Sequence, residues 1–260
     1  DPVHVALNGT YVTTPELEKQ KNGDVTVRVE TTVQNDGDAA ASAKVRTSVL
    51  DKAGSVVSKS TAEGDISIAA GAASDLTQEL AVTTPKLWDY DNPNLYYVQT
   101  EIVSGNKVID SYTTEFGFRY FNYDANTGFS LNGNKVKMKG VCMHHDQGAL
   151  GGIASYDALY RQVEKLKEMG CNAIRTSHNA PSRNFLEICN ELGMLVMDEV
   201  YDGWSYHKNG NSKDFGAYWN ETVGEDDHML GGSKDKKYYQ FCLESFVEKK
   251  KNDPCNIMWS

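Results

Sequence analysis

Apolar and polar residues alternate from Val25 to Val33, in the order Val-Thr-Val-Arg-Val-Glu-Thr-Thr-Val. That period of two is the signature of a strand with one buried face. Lys44 to Leu50 repeats the signal, and further strands are predicted at Val56 to Ala62, Ser74 to Val82, Leu95 to Val103 and Lys107 to Phe116. Turn-forming clusters interrupt at Asn35-Asp36-Gly37-Asp38, at Lys52-Ala53-Gly54-Ser55 and at Ala70-Gly71. About seven short strands in about 115 residues predict an antiparallel sandwich of immunoglobulin-like architecture over residues 1–119. No Cys-Trp-Cys core is present there, so the likeness to antibody domains is architectural.

From residue 120 onward the rhythm changes. Short apolar runs now alternate with helix-length stretches, which predicts βα units around a parallel sheet in a second domain, 120–260. Val136 to Met143 is the first run. Ser155 to Met169 follows, with Leu159, Val163, Leu166 and Met169 spaced along one helical face, Ser155 as N-cap and Gly170 where a left-handed C-terminal residue is wanted. The second run is Asn172 to Ser177, and its helix, Ser182 to Leu192, closes at Gly193. Leu195 to Val200 is the third. Tyr201 to Ser233 has no clean period and reads as a long loop. Lys234 to Lys251 then reads as a helix with Tyr238, Phe241, Cys242, Ser245 and Phe246 toward one face, and Lys249-Lys250-Lys251 as a solvated end opposing the helix dipole. A turn at Asp253-Pro254 leads into a fourth strand signal, Cys255 to Ser260.

Composition narrows the partners. With 36 acidic against 26 basic side chains, the chain is poorly suited to nucleic acid, and no apolar run approaches bilayer length, so no membrane partner is expected. All five cysteines (Cys142, Cys171, Cys189, Cys242 and Cys255) lie in the βα half without paired spacing. Small buried packing residues are expected rather than a disulfide framework.

Several segments, taken in order, carry a likeness to a known family. Trp88-Asp89-Tyr90-Asp91-Asn92-Pro93-Asn94-Leu95-Tyr96 precedes a strand, and Phe116-Gly117-Phe118-Arg119 follows. Next come Phe129-Ser130-Leu131-Asn132-Gly133, Lys139 to Asp146, Asn172 to Asn179, and Met197-Asp198-Glu199. The ordered set resembles the sandwich-to-barrel passage of glycoside hydrolase family 2, which includes β-galactosidases, β-glucuronidases and β-mannosidases. The resemblance implies an immunoglobulin-like sandwich followed by strands 1–4 of an incomplete TIM (β/α)₈ barrel. It also implies a retaining exo-acting glycosidase that cleaves terminal β-glycosides or β-linked oligosaccharides. The stretch His144-His145-Asp146-Gln147-Gly148-Ala149-Leu150-Gly151 looks most like bacterial β-galactosidases.

In that family the acid/base glutamate would lie just beyond Ser260 and the nucleophile further on, so the chain is expected to be inactive alone. The expected parent is longer at both ends, carrying the rest of the barrel and a preceding jelly-roll domain. A half-barrel would be expected to self-associate through its open edges. The substrate face is expected at the C-terminal ends of the barrel strands. His144 and His178 match family positions near the sugar, with His145, Asp146 and Asn179 beside them. Asp198 and Glu199 are expected in a polar site network, Arg175 as the residue that orients carboxylates, and Trp204 as an aromatic face, with Tyr206 and Trp219 as similar candidates. No metal ligand set and no cofactor is expected in the chain itself, while a divalent or sodium ion is left open for the parent enzyme. The compartment is left open between bacterial cytoplasm and periplasm. Two other classes stand beside this reading. The convergence of His144, His145, His178, Asp198 and Glu199 suits a metal-dependent barrel hydrolase, although adjacent rather than alternate histidines on one strand would face opposite ways. A non-catalytic carbohydrate-binding or scaffold module on the sandwich is the other.

Overall fold

The computed structural model describes residues 1–20, 23–58, 62–203, 205–224 and 234–260. The chain divides into two compact units. The first comprises Asp1–Lys137 with Asn190–Gly193 and Asn252–Pro254, and the second comprises Met138–Cys189, Met194–Lys251 and Cys255–Ser260.

The first unit is the sandwich. One sheet joins β1 (Val3–Thr13), β2 (Asp24–Asn35) and β5 (Ala73–Thr83) in the order β1-β2-β5. The other joins β3 (Ala41–Leu50), β4 (Ala62–Ile68), β6 (Tyr96–Ser104) and β7 (Lys107–Phe116) in the order β4-β3-β6-β7. All pairings are antiparallel. Of the strand expected at Val56 to Ala62, residues 59–61 lie outside the described residues; Val56 and Ser58 make isolated bridges, and Ala62 opens β4. Val56 is 58% exposed, so its alternation had no core to bury into.

Alternation accounts for the core, because Val25, Val27, Val29 and Val33 of β2 are all buried while Thr26, Arg28 and Glu30 face outward. Each such valine contributes about 1.5–3 kcal/mol by leaving water. The core is nevertheless two apolar clusters rather than one. Val29, Val49, Val98 and Phe116 belong to the first, and Val33, Val45 and Ile102 to the second. Between them every strand of the pairings except β4 places one buried polar side chain: Thr10, Thr31, Thr47, Gln78, Thr100 and Thr114 on β1, β2, β3, β5, β6 and β7. Thr10 pairs with Thr31, and Thr47 with Thr100, across their strands. The Thr47 hydroxyl donates to Gln78 Oε1 at 2.8 Å, and Gln78 Nε2 to the Val45 carbonyl at 3.2 Å. The hydroxyls of Thr10, Thr31, Thr100 and Thr114 find no partner among the described residues.

A small antiparallel meander, β8 (Phe121–Asp124), β9 (Gly128–Leu131) and β10 (Asn134–Lys135), also belongs to this unit. Asn132 ties it down, since its Nδ2 donates to the Trp88 carbonyl at 3.0 Å and its Oδ1 accepts from the Tyr120 amide at 3.1 Å. Trp88 itself is fully buried, which explains why the Trp-to-Pro turn carries so large a side chain.

The second unit carries four parallel strands, β11 (Gly140–Met143), β12 (Ala173–Thr176), β13 (Leu195–Asp198) and β14 (Asn256–Trp259), adjacent in chain order. Helices α1 (Tyr156–Glu168), α2 (Arg183–Leu192) and α3 (Tyr238–Lys250) connect them. This is the arrangement expected for the first four strands of a (β/α)₈ barrel. Each strand is shorter than its apolar run suggests; β11 occupies only the second half of Val136 to Met143. Gly140 explains its start, because a Cβ there would sit 2.3 Å from the Ala173 carbonyl oxygen on β12. Ser155 stands at the N-cap of α1, and Gly170 takes φ +86° just after its end. The cysteines depart from expectation: Cys189 and Cys255 are buried, Cys171 and Cys242 are half-buried, and Cys142 is exposed. The lysine run departs as well, since Lys250 is only 6% exposed and turns inward.

Candidate functional site

The parallel register sets the site. Cys142 on β11 stands level with Arg175 on β12, and Arg175 level with Met197 on β13, so one face of the sheet presents these side chains together. Ile174, Thr176, Val196 and Asp198 point the other way and are buried. Residues beyond the strand ends then gather above Arg175.

Arg175 Nε donates to Glu199 Oε1 at 2.6 Å, and its Nη1 reaches Cys142 Sγ at 3.5 Å. The ring nitrogen His178 Nδ1 lies 3.3 Å from Glu199 Oε2 and 3.3 Å from Arg175 Nη2. The His144 and His178 rings meet edge-to-face with centroids 5.5 Å apart. The peptide joining Ser177 to His178 is cis. Glu199 is nearly buried, whereas Arg175 and His178 remain about two-fifths exposed, so the carboxylate anchors the group from below while the cation and imidazoles face solvent. The Ser177 hydroxyl and the Arg175 guanidinium beside Cys142 hold its thiol below the usual range, and Glu199 keeps Arg175 charged.

Five of the expected site residues therefore come together or border the group: His144, Arg175, His178 and Glu199 in contact, and Asn179 exposed next along the chain. His145 and Asp146 lie in the loop after β11. Asp146 Oδ1 accepts from the Gly148 amide at 2.9 Å, and with His145 it borders a cavity of about 30 Å³ also lined by His144, Ile153, Pro181 and Phe185. Asn179 lines a wider cleft of about 490 Å³, bounded by Tyr201, Phe215, Phe241 and Phe246.

Asp198 does not join them. Expected in the polar network of the site, it is fully buried on the helix-facing side of β13, where Lys250 Nζ donates to Oδ2 at 2.9 Å and to Oδ1 at 3.2 Å. Thr176 Oγ1 donates to it at 3.3 Å and Asn256 Nδ2 at 3.4 Å. Burial pushes this carboxyl up, against the pull of Lys250 and the other donors, and takes it out of reach of a sugar. Alternation explains the separation, because successive strand residues face opposite sides. Trp204 lies outside the described residues. Trp219 is occupied by loop packing, stacked on Tyr239 at 5.4 Å and against Phe215 at 5.6 Å, while Tyr206 is 64% exposed. Among the described residues no three of His, Cys, Asp and Glu are grouped so as to hold a metal ion.

Sequence reasoning missed Cys142, Thr176 and Lys250. Cys142 was legible as the strand neighbour of Arg175. Lys250 was legible too, since it falls four residues after Phe246 on the apolar face of α3.

Residues 3–119 match the model of glycosyl hydrolases family 2, and residues 125–260 match the TIM barrel domain of the same family. A β-galactosidase of Bacteroides ovatus is 37% identical over all of this chain and 28% of its own length. A putative β-glucuronidase of Formosa agariphila is 34% identical over all of the chain and 22% of its own. Among solved structures, a glycosyl hydrolase family 2 member from Bacteroides cellulosilyticus superposes with a TM-score of 0.87 at 33% identity, covering all of this chain and 30% of that one. The chain thus spans less than a third of the length of these relatives. Two consecutive family models that together run from residue 3 to residue 260, meeting at the sandwich-to-barrel passage, establish that the chain belongs to glycosyl hydrolase family 2.

Proposed function

We propose that this chain is the sandwich and first half-barrel of a retaining, exo-acting β-galactosidase, and that it supplies one wall of the sugar site. The observation that carries the reading is the group formed by Arg175 on β12 with His144, His178 and Glu199 just past the ends of β11, β12 and β13. Sugar hydroxyls need directional donors and acceptors, and the exposed imidazoles with the Asn179 amide provide them. Arg175 holds Glu199 and Glu199 holds His178, so the ring is presented in one orientation before substrate arrives. His145 and Asp146 follow His144 in the loop after β11.

Retaining hydrolysis needs two carboxyl groups about 5 Å apart on either side of the anomeric carbon. The two strand-end carboxylates here are otherwise engaged, Glu199 by Arg175 and Asp198 by Lys250. The chain therefore binds and orients, and the acid/base and nucleophile come from residues outside it. A β-glucuronidase is the second reading, favoured by the 34% identity to the Formosa protein.

Nitrophenyl β-galactoside, β-glucuronide and β-mannoside, offered to the chain and to the protein extended through a complete barrel, test the proposal. Hydrolysis of the galactoside by the extended form alone is expected. Preference for the glucuronide would replace the substrate, and cleavage of none would overturn the glycosidase reading. In the extended form, His178→Ala should lower kcat/KM about 100-fold, the equivalent of ~2.7 kcal/mol of transition-state binding.

A further inference from the structure

The buried side of the sheet holds a second set of polar groups that connects to the site through the backbone of Glu199. Lys250 closes α3 with its side chain 7% exposed, and its ammonium sits 3.9 Å from the centre of the Phe246 ring, one helical turn earlier. It donates to both oxygens of Asp198. Asp198 in turn accepts from the Thr176 hydroxyl, and that hydroxyl accepts the Glu199 amide at 2.9 Å. Since a hydroxyl has a single proton, donation to Asp198 leaves its lone pairs aimed at the Glu199 N–H, and the bond is directional. Glu199 carries the carboxylate that holds Arg175 and His178.

We propose that Lys250 is a positioning residue: acting through Asp198 and Thr176, it fixes the backbone at Glu199 and thereby the placement of Arg175 and His178. The relay runs from a helix through the sheet to its far face, over Lys250, Asp198, Thr176 and Glu199. Its ionised end explains why a lysine occupies a position otherwise fit for an apolar residue. A buried ammonium is tolerated only with a carboxylate partner, and that carboxylate is useful here because it has oxygens to spare for Thr176. The inference rests on the reading of the Arg175 group as the sugar site for its functional meaning, but its geometry stands without sugar.

The test uses the sugar-free chain, so it does not depend on which glycoside is cleaved. The Arg175 Nε–H resonance, held by Glu199, is compared by NMR with that of the exposed Arg161. Thr176→Val removes the hydroxyl with almost no change in shape and leaves the ion pair in place. It should move the Arg175 resonance to the Arg161 position and speed its exchange about tenfold, while sandwich amides stay unchanged. Thr176→Ser should restore the wild-type signal. Lys250→Met should have the same effect as Thr176→Val, and Lys250→Arg should restore it. If Lys250→Met fails to fold because Asp198 is left unpaired, the Thr176 pair decides. An Arg175 signal in folded Thr176→Val that is indistinguishable from wild type overturns the proposal.

Discussion

At the scale of single residues, position on a strand decides chemistry more than residue type does. Cys142 shows this, because one face of β11 leaves its thiol exposed beside Arg175 and Ser177, which hold it below the usual thiol range, while burial pushes Cys242 up. Iodoacetamide at neutral pH should therefore alkylate Cys142 first among the five cysteines, as read by peptide mass mapping, and Arg175→Ala should slow that reaction. Equal labelling of Cys142 and Cys171 would contradict it. The likeness of His144, Arg175, His178 and Glu199 to a family pattern was legible in the sequence because Arg175 lies within a short apolar run and the other three fall at or just past the ends of such runs. The fate of Asp198 was not. Adjacent residues on a strand diverge by half a turn, and only the register of β13 shows which of Asp198 and Glu199 faces the barrel interior.

At the scale of elements, helices were more legible than strands. α1 and α2 were expected to within a residue or so of where they lie, since apolar spacing and the closing glycines Gly170 and Gly193 mark them on both levels. The barrel strands were found but drawn too long, because the apolar run of the first one begins at Val136, which is buried and whose amide donates to the Phe129 carbonyl of the meander rather than to β12. Val56 misled for the opposite reason, being apolar yet exposed. The close approach of β11 and β12 gives a direct test. Gly140→Ala should destabilise the chain by about 1–3 kcal/mol, seen as a lower urea midpoint, because the new methyl meets a ladder carbonyl rather than open space. In the loop after β13, Asp214 accepts from the Lys208 and Gly216 amides and pairs with His207, which together hold its carboxyl below the ordinary range, His207 contributing most. A depressed folded value means the loop gains stability above the unfolded pKa of about 3.9 and loses it as pH falls through the lower, folded value. As pH falls below about 4, the Lys208 and Gly216 amide resonances should move as Asp214 takes up its proton. Asp214→Asn should abolish that transition.

At the scale of the whole molecule, family membership was legible from the order of several weak motifs, none of which is decisive by itself. The parallel sheet ends in β11 on one side and β14 on the other, and β14 exposes Met258 and Trp259 at 38% and 43%. A sheet edge that carries no further strand among the described residues, with exposed apolar side chains beside it, recruits further strands. The chain should accordingly form a concentration-dependent dimer of identical copies, and light scattering that reports a monomer across a wide concentration range would refute this. The sandwich behaves differently, and its polar layer says why. A strand that slipped by two residues would keep its apolar side chains facing inward, so an all-valine core would tolerate the error. Here each slip drives a threonine or glutamine into one apolar cluster, and brings a side chain of that cluster, such as Val29 on β2, Leu80 on β5 or Phe116 on β7, to the polar tier. The layer works as a gauge mark shared by both sheets: stability is given up at four hydroxyls so that only one alignment of the strands closes without penalty.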